Sequence, residues 1–256
     1  MPTERTGAGD PARTLKLLWH EPDADRSRHG PRQALSVERV VTCALTLADT
    51  DGLGAVTMRR VAESLGVVPM SLYTYVPGKA ELLDLMLDTV YRRMPRPDLS
   101  AHPWRERLTA IAHQNRELFV RHPWIAQLST SRPPLGPGLM AKYDYELRAF
   151  ESLGLDDVEL DAALTFLLDF VHAVARSAAE AASIRQESAM SEEQWWAANA
   201  PLLARVFDET KYPTASRVGA AAGAANGAAY SPEHAYTFGL QRVLDGLATL
   251  IDTREP

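Results

Sequence analysis

Eight residues within a short window have the types and spacing to grip a polyanion: Arg59, Pro69, Met70, Ser71, Tyr73, Thr74, Tyr75 and Lys79. A guanidinium or ammonium holds phosphate oxygens, and small hydroxyls and flat rings come close to base edges and sugars. None of this is bond-breaking chemistry. The histidines are His20, His29, His102, His113, His122, His172 and His234. None pairs at the four-residue helical step that sets up a zinc site, with a glutamate between the pair. Gly-x-Ser-x-Gly, Gly-x-Gly-x-x-Gly and phosphate-loop patterns are absent. Cys43 is the single cysteine and lies in a helical pattern, which suits a small core residue better than a nucleophile. No catalytic residue, metal or cofactor is therefore expected.

Two short helices with a tight corner must position the eight. Thr57 has the hydroxyl to cap the first helix, and Met58, Val61, Ala62 and Leu65 repeat along one face. Gly66 can take the positive φ of the corner. Pro69 suits the first turn of a second helix, where its missing N–H costs nothing. Leu72 and Val76 anchor that helix inward and leave Met70, Ser71, Tyr73, Thr74 and Tyr75 outward. Pro77-Gly78 ends it, and Lys79 opens the next helix, to about Met94. This is the pattern of a helix-turn-helix. An ordinary helical hairpin in a larger core shares the periodicity; the outward face of small polar and aromatic groups, rather than solvated Glu and Lys, favours the first reading.

The segment from Leu35 to about Met94 resembles the DNA-binding domain of the TetR family of transcriptional repressors. Thr57-Met-Arg-Arg-Val-Ala, Leu65-Gly66-Val67, Ser71-Leu72-Tyr73 and Tyr75-Val76-x-x-Lys79 match the family pattern in order and spacing. The resemblance implies that Tyr73 and Lys79 hold phosphate. Pro69, Met70, Ser71, Thr74 and Tyr75 are the base-facing candidates, and Arg59 can meet a phosphate or a guanine edge.

The charge distribution agrees. Overall charge is −6, yet residues 26–96 carry ten Lys/Arg against seven Asp/Glu, while residues 97–256 carry 14 against 21. A basic module on an acidic body orients a molecule towards phosphate. The 46% hydrophobic content supports a sizeable core. There is no long apolar run, so no membrane partner is expected, and one cysteine fits a cytoplasmic location.

Along the chain, residues 1–34 read as a flexible arm; its Arg26, Arg28 and Arg32 belong to a solvated tail on the favoured reading, and on the other reach phosphate or a minor groove. Residues 35–94 form the DNA-binding domain, and 95–256 a second helical domain. Helices are expected over Ser36 to Asp51, Trp104–Arg121, Leu139–Leu153, a long stretch to about Gln186, one from Ser191, and a last one after Ser231-Pro232-Glu233. Gly219, Gly223 and Asn226-Gly227 make 213–229 read as a mobile loop. No strand pattern appears, so the class is all-α.

Phe238-Gly239-Leu240-x-x-Val243-Leu244-x-Gly246-Leu247, Ser131-Arg132-Pro133 and Pro201-Leu202-Leu203 resemble the family's tetracycline-repressor type of C-terminal domain. That resemblance implies a small-molecule cavity, for which Trp124, Leu128, Tyr143, Leu147, Phe166 and Phe170 are the wall candidates; for aromatics such as Trp124, Tyr143, Phe166 and Phe170, plain core packing is the favoured reading of any single one, and spacing does not show the cavity. Ala162, Ala163, Ala173, Ala175, Gly239 and Gly246 permit close approach of two copies, so a homodimer on an inverted-repeat, double-stranded operator is expected. The family's tetracycline sensor holds a magnesium chelate through a histidine; the matching position here is Leu128. An apolar or aromatic organic effector is expected instead. The reading that remains open beside a ligand-released regulator is an all-α enzyme carrying a helix-turn-helix-like hairpin.

Overall fold

The computed structural model describes residues 4–19, 35–228 and 230–253. Among these it is all-α, with one isolated parallel bridge between Arg5 and Ser129. No described helix is long and apolar enough to cross a membrane.

The head begins with α2 (Val37–Asp51), which Ser36 caps by accepting the Arg39 amide at 3.2 Å. Next come α3 (Met58–Leu65) and α4 (Pro69–Tyr73), then α5 (Lys79–Arg93). Thr57 Oγ1 accepts the Arg60 amide at 3.1 Å, so the expected cap is in place. Gly66 takes φ +70°, and the next amide, that of Val67, bonds the Ala62 carbonyl at 3.0 Å. This reversal closes the α3 carbonyls and swings the chain into α4.

Helix α5 departs from the expected one-sided pattern. Leu82, Leu83, Met86 and Val90 face inward as anticipated, but Glu81, Asp84, Asp88 and Thr89 are buried as well. The helix runs through the middle of the molecule, so every face meets protein. Its carboxylates are tolerated because backbone amides reach them: Gly7 donates to Asp84 at 2.9 Å and Leu139 to Asp88 at 2.9 Å.

The arm expectation fails for residues 4–19. Helix α1 (Pro11–Leu18) is capped by Asp10, buries Thr14 and Leu18, and packs beside α5. Leu15 to Trp19 cannot fold alone, but it can dock on a surface that already exists. Arg26, Arg28 and Arg32 lie outside the described residues.

The body consists of α6 (Trp104–Arg121), a 3-10 turn (Pro123–Gln127), α7 (Pro137–Arg148), α8 (Asp157–Ser188), α9 (Glu192–Val206), α10 (Pro213–Asn226) and α11 (Pro232–Asp252). Helix α8 opens with a capping box in which Asp156 and Glu159 satisfy each other's amides. Helix α7 stops at Arg148, short of the expected Leu153. Where a loop was anticipated over 213–229, α10 forms instead. Pro213 starts it, Gly227 ends it at φ +65°, and the alanines between outweigh two glycines, one of which, Gly223, lies against Trp196.

Two apolar cores result. One joins α2 to α5 and also takes in Leu118, Trp124, Ile125 and Leu128, so packing is continuous from head to body. The other lies between α6, α8 and α11 around Ile111, Leu167, Tyr236 and Leu244. Of the small residues expected on a dimer face, Ala163 is buried in this core and a Cβ at Gly239 would strike the Phe170 ring. Ala162, Ala173 and Gly246 remain exposed, and Ala175 is half-buried.

Candidate nucleic-acid interface

Helix α4 is held from below and presented above. Leu72 and Val76 are fully buried, while Met70 is 76% and Tyr73 46% exposed. Pro69 and Thr74 are exposed, Ser71 is half-buried, and Tyr75 packs partly against the head core. A five-residue helix has little stability of its own, so its geometry comes from those two anchors and the Gly66 corner. The result is a protruding ridge of small and aromatic groups, of a size that enters a major groove.

Three cations of the head, Arg59, Arg60 and Lys79, are each met by a carboxylate. Arg59 Nε donates to Glu63 at 2.8 Å one turn along α3. Arg60 reaches Asp51 at 2.6 Å. Lys79, at the first turn of α5, pairs with Glu4 at 2.6 Å. The first pair is an ordinary helical neighbour; the Lys79 partner lies 75 residues away, and no sequence spacing could have revealed it.

Behind the ridge, polar groups stitch the head to the body. Asp49 accepts the Trp124 indole N–H at 2.8 Å and lies 2.7 Å from His122 Nδ1. Deeper, Lys142 and Glu146 of α7 form a buried ion pair at 2.7 Å, and Asn115 of α6 donates to the same carboxylate at 2.6 Å. The Lys142 ammonium sits over the Tyr91 ring. Burial, with Glu146 and Asp88 nearby, pushes the Tyr91 hydroxyl well above its ordinary pKa, so it stays neutral. Burial likewise raises Asp84 and Asp88, against the pull of the amides they accept.

The six wall candidates for a ligand cavity do not come together. Trp124 and Leu128 are buried in the head core, because Asp49 claims the indole and the 3-10 turn packs against α2, α6 and α8. Leu147 and Phe170 pack on the body core. Tyr143 points outward, its hydroxyl donating to Asp161 at 2.6 Å, and Phe166 is exposed. An open cleft of about 410 Å³ lies instead on α6, lined by His113, Arg116, Glu117, Val120 and Arg121. Beside it, Tyr236 hydrogen-bonds His113 at 3.0 Å and carries Arg116 over its ring, and burial raises its pKa to about 12.

A ridge of this kind on a three-helix head, continuous with a large helical body, defines a class: the one-chain transcriptional regulators that join a helix-turn-helix to a helical sensor domain. Residues 41–86 match the family model for bacterial regulatory proteins of the tetR family, and residues 96–251 match that for the tetracyclin repressor-like C-terminal domain. The chain belongs to the tetR family. It is 40% identical to the HTH-type transcriptional repressor DrrR1 of Streptomyces coeruleorubidus over 254 residues, covering 98% of this chain and 91% of that protein. It is similar to apo ActR from Streptomyces coelicolor at 25% identity and a TM-score of 0.70, covering 86% of this chain and 98% of that one. ActR in complex with actinorhodin matches at 26% identity and a TM-score of 0.70, over 84% of this chain and 95% of that one.

Proposed function

We propose that this protein is a homodimeric repressor that binds an inverted-repeat operator through α4 and is released by a small organic effector held in the body. The exposed α4 ridge, fixed by the buried Leu72 and Val76, is the observation that carries the reading. Arg59, Pro69, Met70, Ser71, Tyr73, Thr74, Tyr75 and Lys79 are the contact residues in this proposal. The named relative is a repressor, and ActR is known with a bound small molecule, which supports release by an organic ligand. Two copies placing α4 about 34–36 Å apart would engage successive major grooves. The exposed Ala162, Phe166 and Ala173 on α8 fit a face shared between two copies. The alternative of an all-α enzyme gains nothing from the relatives, which are regulators by name.

A mobility shift on DNA upstream of the protein's own gene tests the reading. The expected result is a discrete shift, weakened by salt and competed by the same sequence far better than by random DNA. Equal competition by both would defeat it.

A further inference from the structure

Residues 4–19 run across the boundary between head and body and are tied to both. On the body side, Thr6 N–H donates to the Ser129 carbonyl at 3.0 Å, the Ser129 amide returns to the Glu4 carbonyl at 2.9 Å, and Thr6 Oγ1 donates to the Arg132 carbonyl at 2.7 Å. Trp19 Nε1 donates to the Leu135 carbonyl at 2.8 Å. On the head side, Gly7 N–H donates to Asp84 at 2.9 Å and Asp10 N–H to Glu81 at 3.1 Å. Thr6 is buried, and a Cβ at Gly7, whose φ is +63°, would press on Arg132. The segment is therefore fixed by bonds that do not involve the Glu4 side chain.

What this fixed segment delivers is a carboxylate on Lys79. Lys79 opens α5 six residues beyond the end of α4. The helix has no side-chain cap at that end, because Gly78 supplies none. An ammonium in the first turn of a helix, where the dipole is positive, is a favourable place for an oxyanion. Glu4 already supplies one, at 2.6 Å, with both side chains partly open to solvent. A tethered carboxylate acts at high effective concentration, so an incoming phosphate must displace it.

We propose that residues 4–19 form an autoinhibitory strap whose Glu4 stands in for a DNA phosphate at Lys79. The strap lowers operator affinity in the free protein, and because it hangs on the 129–135 loop of the body, it couples the position of that loop to the availability of Lys79. This rests on the operator-binding reading above.

Fluorescence anisotropy with operator DNA tests it on the full chain, using the wild type, Glu4→Gln, Glu4→Asp, Lys79→Ala and the Glu4→Gln/Lys79→Ala double variant. A partly exposed pair of this kind is worth little, so Glu4→Gln is expected to bind about two- to fivefold more tightly. Its salt slope should steepen by about one. Glu4→Asp keeps the charge but shortens the reach and is expected to gain affinity too, which separates contact from net charge. In the Lys79→Ala background the Glu4→Gln gain should vanish, since the two act as a pair. A gain of equal size in both backgrounds, or no gain in either Glu4 variant, overturns the strap while leaving operator binding intact. Failure of the wild type and every variant to prefer operator over random DNA overturns both.

Discussion

Asp88 on α5 and Gly138 at the start of α7 meet backbone to backbone: a Cβ on Gly138 would collide with the Asp88 carbonyl oxygen. The Asp88 carboxylate closes the same contact by accepting the Leu139 amide. The linker helix and the body thus touch without an intervening side chain. Gly138→Ala is expected to force the two helices apart at a cost of about 1–3 kcal/mol, seen as a lower denaturant midpoint. A midpoint equal to wild type would mean that the helices are not pressed together in solution.

Asp84 gives a pH dependence with a definite sign. Burial raises its folded pKa above the unfolded value of about 3.9. The folded state therefore holds the proton more tightly than the unfolded one. Its contribution to stability is fully present below the unfolded pKa and is lost as pH rises through the raised folded value. Among the described residues Asp84 Oδ2 has no hydrogen-bond partner, while Oδ1 serves Gly7. Asp84→Asn keeps the Gly7 acceptor and removes the charge. Its melting temperature relative to wild type should be more favourable at pH 7 than at pH 4; the reverse order would contradict the burial.

The Lys142–Glu146 pair should behave as a unit. Lys142→Ala leaves Glu146 buried without its cation, with the neutral Asn115 amide still donating to it, and a loss of about 3–5 kcal/mol is expected in denaturant unfolding. Replacing both residues with apolar groups of similar volume should cost clearly less than twice that. Additive losses would show that the pair is not coupled.

On DNA, Met70 and Lys79 should separate by kind of effect. Met70→Ala is expected to cost roughly 1–3 kcal/mol on the operator and to relax preference at one base pair. Lys79→Ala should weaken binding to every sequence and flatten the salt slope by about one. Anisotropy titrations on operator and scrambled DNA at several salt concentrations check both, and an unchanged slope would remove Lys79 from the phosphate set.

Leu128 lies in the head core with no polar atom to offer a metal chelate. Tetracycline with magnesium is expected neither to raise the melting temperature nor to release operator DNA. Release at micromolar drug, reversed by a chelator, would contradict that expectation.

Local chemistry was legible in the sequence where it depends on near neighbours. Ser36, Thr57, Gly66, Pro69 and the Ser231-Pro232 start each fix a backbone conformation through residues within a turn, and each stands where the pattern put it. What could not be read depends on distant partners. Asp84, Asp88 and Glu146 look like solvated helix faces until the amides and side chains that satisfy them arrive from residues far along the chain. Trp124 looks like a cavity wall until Asp49 claims its N–H. Glu4 looks like part of a tail until Ser129 pairs with its backbone. The strap is hidden in the sequence because its helix has no fold of its own, and α10 because its glycines interrupt a helical pattern that its alanines nonetheless sustain in the chain.

The Asp88 contact also divides α5 into unequal arms. Nine residues run from Asp88 to Lys79 and five to Arg93, or about 14 Å and 8 Å at the helical rise. A rigid rod pivoting there is a lever with a mechanical advantage below one. A displacement at the Arg93 end reappears at the Lys79 end nearly doubled and reversed in direction. A tilt of about 5° moves Lys79 by roughly 1 Å, and α4, which rides beyond it, by more. Were α5 to pivot there, small travel in the body would be geared up into travel at the surface proposed to meet DNA.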